Sequence, residues 1–246
     1  ATTSLVEADG IVAVSPDVEY LETGERVEVQ LFSPDVRPPT VFGAGEDDPA
    51  FSRVLDRVDR PRYLGVGGRQ GRRRLRDGVT DIAVLTGEIP EAAVELDAYH
   101  REWGLVVPDG NPRGIEGIAD LVDENISFVN RTTDAELRST LEGALDDLAA
   151  ERDVALHELT EAIDGFELAV RAHESPARKV DAGDADAGLG LRASAAALGT
   201  GFVHCGTERV AVVADPDRAE KRGVEALADA LADADAVFES LAGYRR

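Results

Sequence analysis

The stretch that decides the fold is Asp181–Val213, DAGDADAGLGLRASAAALGTGFVHCGTERVAVV. An acidic, glycine-spaced turn (Asp184 to Gly188) leads into a short apolar strand, then an alanine-rich helix, then two strands. That order is expected where a chain returns from the second lobe of a two-lobed α/β protein and completes the first. Such folds hold a small ligand in the cleft between lobes.

Working outward, the residues from Thr40 alternate between strand and helix patterns, the mark of a mainly parallel sheet. Thr40–Phe42 reads as a strand ending at Gly43-Ala44-Gly45, and Asp48-Pro49 opens a helix with proline in its first turn. Arg62–Val66 is a strand closed by Gly67-Gly68. A basic helix follows over Arg69–Arg76, then strand Thr80–Leu85. Trp103–Val107 is a strand where the chain crosses into the second lobe. A short helix ends near Leu121, Ile126–Val129 is a buried strand, and Thr132-Thr133 are expected to cap a helix from about Asp134 to Ala150. Glu167–His173 opens a further segment, and Ala177–Val180 reads as helix. The return crossing is expected near Ala187-Gly188, with a last helix over Arg218–Leu241. The expected domains are residues 1–37 and 38–246, the latter with lobe I at 38–105 and 188–246 and lobe II at 106–187.

Ahead of this lies a short β segment. Val27, Val29 and Leu31 share one face by alternation, and Ala8-Asp9-Gly10 reads as a hairpin-like turn. A strand pair this short is marginal alone. Ser33–Pro39 (SPDVRPP) is a proline-rich linker.

Composition narrows the class. The 246 residues carry 49 acidic against 26 basic side chains, a net charge of −23. Lys179 and Lys221 are the two lysines. Surplus carboxylates hydrate strongly, and salt screens their repulsion, so the expectation is a salt-adapted, haloarchaeal-type cytosolic protein. No broad basic face is available to neutralise phosphates, which argues against nucleic acid. Cys205 is the single cysteine, so no intramolecular disulfide forms. No apolar run is long enough to span a bilayer. The chain starts at Ala1 and contains no Met, which reads as a fragment, a processed chain, or a sequence from which modified methionines are missing.

Loops that follow parallel strands open into the crevice at the strands' carboxyl ends. Helix N-termini there present free N–H groups and a partial positive charge, which suits an anion. The candidate ligand-binding residues are therefore Gly43, Ala44 and Gly45, then Gly67, Gly68 and Arg69, then Asn130, Arg131, Thr132 and Thr133, with Asp186 as a hinge acceptor. Arg131 could pair bidentately with an oxyanion, and both threonines could donate hydroxyls. Taken singly, each loop also reads as turn glycines, a helix cap and a surface ion pair. His100, His157, His173 and His204 lack metal-ligand spacing. His204 and Cys205 are adjacent on a strand and point to opposite faces, so they make no nucleophilic pair. No catalytic or metal-binding residue is expected.

Several motifs carry a resemblance. Asn111–Leu121 (NP-x-G-I-x-G-I-x-D-L), Phe128–Arg131 (FVNR), Gly183–Gly190 (G-x-A-D-A-G-L-G), Gly71–Ala83 and Glu208–Val213 (ERVAVV) stand in the order found in one family. Together with a displaced His173, they resemble the periplasmic-binding-protein-like (PBP-like) domain that accompanies molybdenum-cofactor proteins. The first 33 residues resemble the end of the C-terminal β-domain of MoeA-type molybdopterin molybdotransferases, so the whole reads as a C-terminal fragment of such a protein. The resemblance implies a two-lobed type II PBP-like fold with a two-strand hinge and a short N-terminal β segment. The ligand it implies is a small oxyanion, molybdate or tungstate, with no other cofactor. It also implies that any transfer chemistry belongs to a parent enzyme whose catalytic domain lies upstream.

One departure bears on binding. Where the family has a glycine-rich G-S-G-T-R run, this chain has Asp134-Ala135-Glu136-Leu137-Arg138. Carboxylates there, together with Glu46, Asp47 and Asp48, repel a bare dianion. Either the ligand is not a bare dianion, or the module is a scaffold or effector-like domain used for dimerisation or partner contact.

Overall fold

The computed structural model describes residues 9–22 and 25–246, and the chain divides into two compact units, residues 1–39 and 40–246. In the first unit, β1 (Gly10–Val12) pairs antiparallel with β2 (Val29–Leu31), Gly10 opposite Leu31 and Val12 opposite Val29. Their apolar side chains, Ile11, Val12, Val29 and Leu31, are all exposed. The turn expected at Ala8-Asp9-Gly10 falls partly outside the described residues, and Gly10 already lies in β1.

The second unit is a mixed α/β body with two lobes. Its sheet contains β3 (Val41–Gly45), β4 (Pro61–Gly65), β5 (Ile82–Thr86), β6 (Val94–Val107), β7 (Phe128–Arg131), β8 (Ala169–Val170), β9 (Ala187–Leu191) and β10 (Gly201–Ala214). The order across it is β4-β3-β5-β10-β6-β9-β7-β8, and β11 (Tyr244–Arg245) also pairs with β6. The pairs β3–β4, β3–β5, β7–β8 and β7–β9 are parallel. The 14-residue strands β6 and β10 run antiparallel through both lobes and form the hinge ribbon. So the parallel pattern read from the sequence holds within each lobe and gives way at the join.

Nine helices cover the faces among the described residues: α1 (Pro49–Leu55), α2 (Gly68–Arg76), α3 (Ile118–Asp123), α4 (Glu136–Arg152), α5 (Leu156–Ala162), α6 (Ser175–Asp181), α7 (Arg192–Leu198), α8 (Arg222–Ala232) and α9 (Asp235–Glu239). In lobe I the core joins Phe51 and Val54 of α1 to Ile82, Val210 and Val212 of the sheet and to Val224, Leu227 and Phe238. In lobe II, Leu137, Leu141 and Leu145 repeat every four residues on one face of α4. They pack on Phe128, Leu105 and Leu189. β5 is buried at every position, as expected of a strand covered by helices on both faces.

The structure departs from the sequence reading at several elements. The two closing strands are one strand, β10, with a register shift between His204 and Gly206 in place of a turn. Leu189 and Leu191 share a core with Phe128 and Leu141, and Val203 and Cys205 pack against it. The return to lobe I therefore runs along β10, further on than Ala187-Gly188. The last helix is broken into α8 and α9 at Asp233-Ala234. The N-cap of α4 is Ala135, with no side-chain cap bond, so Thr132 and Thr133 do not cap it.

Candidate functional site

The cleft between the lobes is lined by Glu46, Asp47, Gly65, Val66, Gly67, Arg131, Thr132, Asp134, Ala135 and Arg171. It is a narrow, partly open cleft of about 20 Å³. β3 and β4 bring the lobe I side to it, and the loop from β7 into α4 brings the lobe II side. Glycine lets the lobes approach. A Cβ at Gly67, whose φ is +85°, would overlap the Asp134 carbonyl oxygen, and one at Gly68 would overlap the Glu136 side chain.

Two buried arginines dominate the electrostatics. Arg101, on β6 and 1% exposed, lies 2.6 Å from Glu208, 2.9 Å from Asp48 and 3.5 Å from Glu46. Asp48 also accepts from the amides of Ala50 and Phe51 at 2.9 Å each, capping α1, and from the Tyr99 and Tyr244 hydroxyls at 2.8 Å each. Burial pulls the Arg101 pKa down, but Glu208 and Asp48 outweigh it and leave the guanidinium held well above its ordinary value. This cluster is fully bonded and turned to structural use.

Arg131 differs. At the end of β7 and 4% exposed, its guanidinium makes no ion pair among the described residues. Nη2 donates to the Arg171 carbonyl at 2.7 Å, while the buried Nε has no partner. Burial pushes its pKa below the ordinary arginine value, against the pull of Glu46 and Asp47. It stays charged, because arginine does not deprotonate in proteins. A buried cation with an unpaired donor carries a desolvation cost that its own lobe does not fully offset.

Further contacts cross between the lobes. Asp47 Oδ2 accepts from the His173 amide at 3.1 Å and lies 3.1 Å from His173 Nδ1. Burial pushes the Asp47 carboxyl up, but His173 more than compensates and leaves it below the usual value. Arg72 reaches Glu136 at 3.3 Å, Arg171 donates to the Gly65 carbonyl at 3.3 Å, and Thr140 donates to Glu208 at 3.3 Å.

Of the residues singled out from the sequence, Gly67, Arg131 and Thr132 line the cleft. Gly68 borders it through its amide, which donates to Glu46. Gly43, Ala44 and Gly45 are not a loop. They form β3, with the space for a Cβ at Gly43 filled by Ile82 and Tyr63. Asn130 is fully buried and bonded within lobe II, to the Phe166 carbonyl at 3.0 Å and the Arg131 amide at 2.8 Å. Arg69 and Thr133 are exposed and do not line the cleft. Asp186 accepts from the Ser127 amide and hydroxyl and from Arg113, tying a turn within lobe II instead of bridging a hinge. Burial pushes the Cys205 thiol up to about 11, which removes it as a nucleophile.

The sequence matches the PBP superfamily domain over residues 59–232, and the chain belongs to that superfamily. Residues 1–32 match the MoeA C-terminal region, domain IV. No curated protein gives a match. Among solved structures, the fold is similar to a Clostridium perfringens protein with bound phosphate, assigned as a phosphate ABC transporter substrate-binding protein. That likeness has a TM-score of 0.59 at 11% identity, covering 81% of this chain and 96% of the other. The sulfate-binding protein SubI of Mycobacterium tuberculosis gives 0.58 at 13% identity, covering 83% and 85%. Reduced OxyR from N. meningitidis gives 0.58 at 15%, covering 83% and 97%. These likenesses establish the two-lobed PBP-like fold.

Proposed function

We propose that this domain is a small-ligand-binding module whose cleft takes a compact anion, and that it serves a MoeA-type protein of molybdenum-cofactor biosynthesis. The observation that carries this reading is Arg131: a guanidinium 4% exposed, on the wall of the inter-lobe cleft, with one donor unused. Arg171 stands beside it, and Asp47 and Asp134 could accept from a protonated ligand oxygen. Similarly folded proteins named for phosphate and sulfate support a tetrahedral oxyanion as the ligand class. The match of residues 1–32 to the MoeA C-terminal region supports molybdate or tungstate in particular. In this reading the transfer reaction belongs to a molybdotransferase domain upstream, and the protein works in a salt-rich cytosol, as its charge of −23 suits. Neither a membrane nor nucleic acid is a partner.

The test is thermal unfolding in high salt with added molybdate or tungstate, which should raise the midpoint in proportion to ligand concentration. A second reading, a non-binding scaffold or effector-like domain that dimerises, is favoured by the carboxylates that line the cleft. A sharp dimer on sizing, with no midpoint shift from any oxyanion, would select it.

A further inference from the structure

Glu46 already does what the ligand of this cleft is expected to do. Its Oε1 accepts from the Gly68 amide at 2.7 Å and from the Glu136 amide at 3.2 Å. These are the first amides of α2 and α4, one from each lobe. Neither helix has a side chain to cap it, because the N-cap residues are Gly67 and Ala135. The N-terminal ends of two helices, of nine and 17 residues, therefore converge on one carboxylate that is 3% exposed. That is an anion cradle with an anion in it, and the anion belongs to the chain.

We propose that Glu46 is a tethered competitor: it fills the anion cradle, latches the lobes together, and has to be displaced by an incoming oxyanion. This rests on the binding reading above and adds what that reading leaves open, namely why the cleft of an anion-binding module is lined by carboxylates. Two observations independent of the amides support it. The cleft is narrow and is bridged between the lobes by Asp47–His173, Arg72–Glu136 and Arg171–Gly65, so the cradle that Glu46 fills is reached by parting them. Arg131 lies on the same cleft wall with its buried Nε unpaired, so an anion that parts the lobes meets an incompletely bonded cation at the cradle.

Of the carboxylates suspected from the sequence, Glu46 is the one that blocks, and those in the Asp134–Arg138 run are not. Asp134 is exposed, and the Glu136 side chain turns to Arg72. Removing Glu46 leaves Arg101 paired with Asp48 and Glu208, and leaves Asp47–His173 and Arg72–Glu136 holding the lobes, so the variants remain folded.

The experiment compares the full chain with Glu46→Ala and with Glu46→Gln, which keeps the shape and removes the charge. Sulfate and molybdate are titrated calorimetrically at constant high ionic strength. A tethered group acts at an effective concentration of about millimolar or more, so its loss should tighten both ions by at least about tenfold. Hydrogen exchange at the Gly68 and Glu136 amides, without ligand, should quicken in Glu46→Ala. Equal affinity in all three proteins, with unchanged exchange at both amides, overturns the proposal while leaving the binding reading in place. Sulfate bound by Glu46→Ala, with no binding of any oxyanion by the native chain, overturns displacement and the binding reading together, since Glu46 would then block the cradle outright.

Discussion

Two arginines are almost equally buried in this protein, and they have opposite surroundings. Arg101 meets three carboxylates, and the most buried of these, Asp48, is itself held by two amides and two tyrosine hydroxyls. Arg131 meets none within pairing distance among the described residues, and one of its donors has no partner. Burying an ion is costly in either case. At Arg101 the cost is offset inside the fold, so the residue holds lobe I together where β6 enters the hinge. At Arg131 it is left partly unmet, and the natural place to meet it is the cleft. Burial alone thus does not separate a structural charge from a receptive one. The completeness of its bonding does.

The comparison can be broken most easily at Arg101. Arg101→Met should strand Asp48, Glu46 and Glu208 without their cation and destabilise the protein by about 3–5 kcal/mol in denaturant unfolding. A loss under about 1 kcal/mol would mean the cluster is not what holds that corner. Arg131→Gln should behave in the reverse manner. No ion pair is broken, so stability should move by less than about 1 kcal/mol, whereas oxyanion affinity should fall by about 1.5–3 kcal/mol, roughly 10- to 150-fold. An unfolded Arg131→Gln protein would erase the distinction between the two sites.

Smaller effects sharpen the picture of the cleft. Gly67→Ala places a Cβ against the Asp134 carbonyl at a positive φ and should cost more than about 1 kcal/mol. Small-angle scattering should show the lobes further apart, and an unchanged profile would mean that close approach at Gly67 is not what keeps the cleft narrow. The weakest effect is that of pH. Because the folded Asp47 carboxyl titrates below its ordinary 3.8, its bond to His173 contributes stability in full above that value. The contribution is lost as pH falls through the depressed folded value. Asp47→Asn should therefore flatten the acid limb of the stability curve slightly, and an unaltered limb would show that the Asp47–His173 contact adds nothing.

Much of the architecture was legible because it rests on local chemistry. The apolar run of β5, the Asp48-Pro49 helix start and the Gly67-Gly68 close of β4 all read directly from residue type. The first half of β6 did not. Its inward side chains are Tyr99 and Arg101, and an arginine in strand alternation looks like a solvent-facing residue until its three carboxylates are seen. The short α5 helix has one buried residue, Leu159, too few to set a period. Gly43-Ala44-Gly45 looked like a loop because glycine marks turns, but here it clears space for Ile82 and Tyr63. Arg131 was within reach as an arginine just before a helix. Glu46 was legible as a carboxylate beside the first loop but its role was not, since nothing in the spacing of residues 46, 68 and 136 reveals that one carboxylate joins two distant helix ends.

The central claim is that the cleft receives its anion on Arg131, and it can be observed at a single nucleus pair. With ¹⁵N-labelled arginine, the Arg131 Nε–H resonance should shift on titration with molybdate, saturating at the calorimetric stoichiometry, while that of Arg101 stays in place. Binding of molybdate with the Arg131 signal unmoved would contradict the claim and send the ligand elsewhere on the molecule.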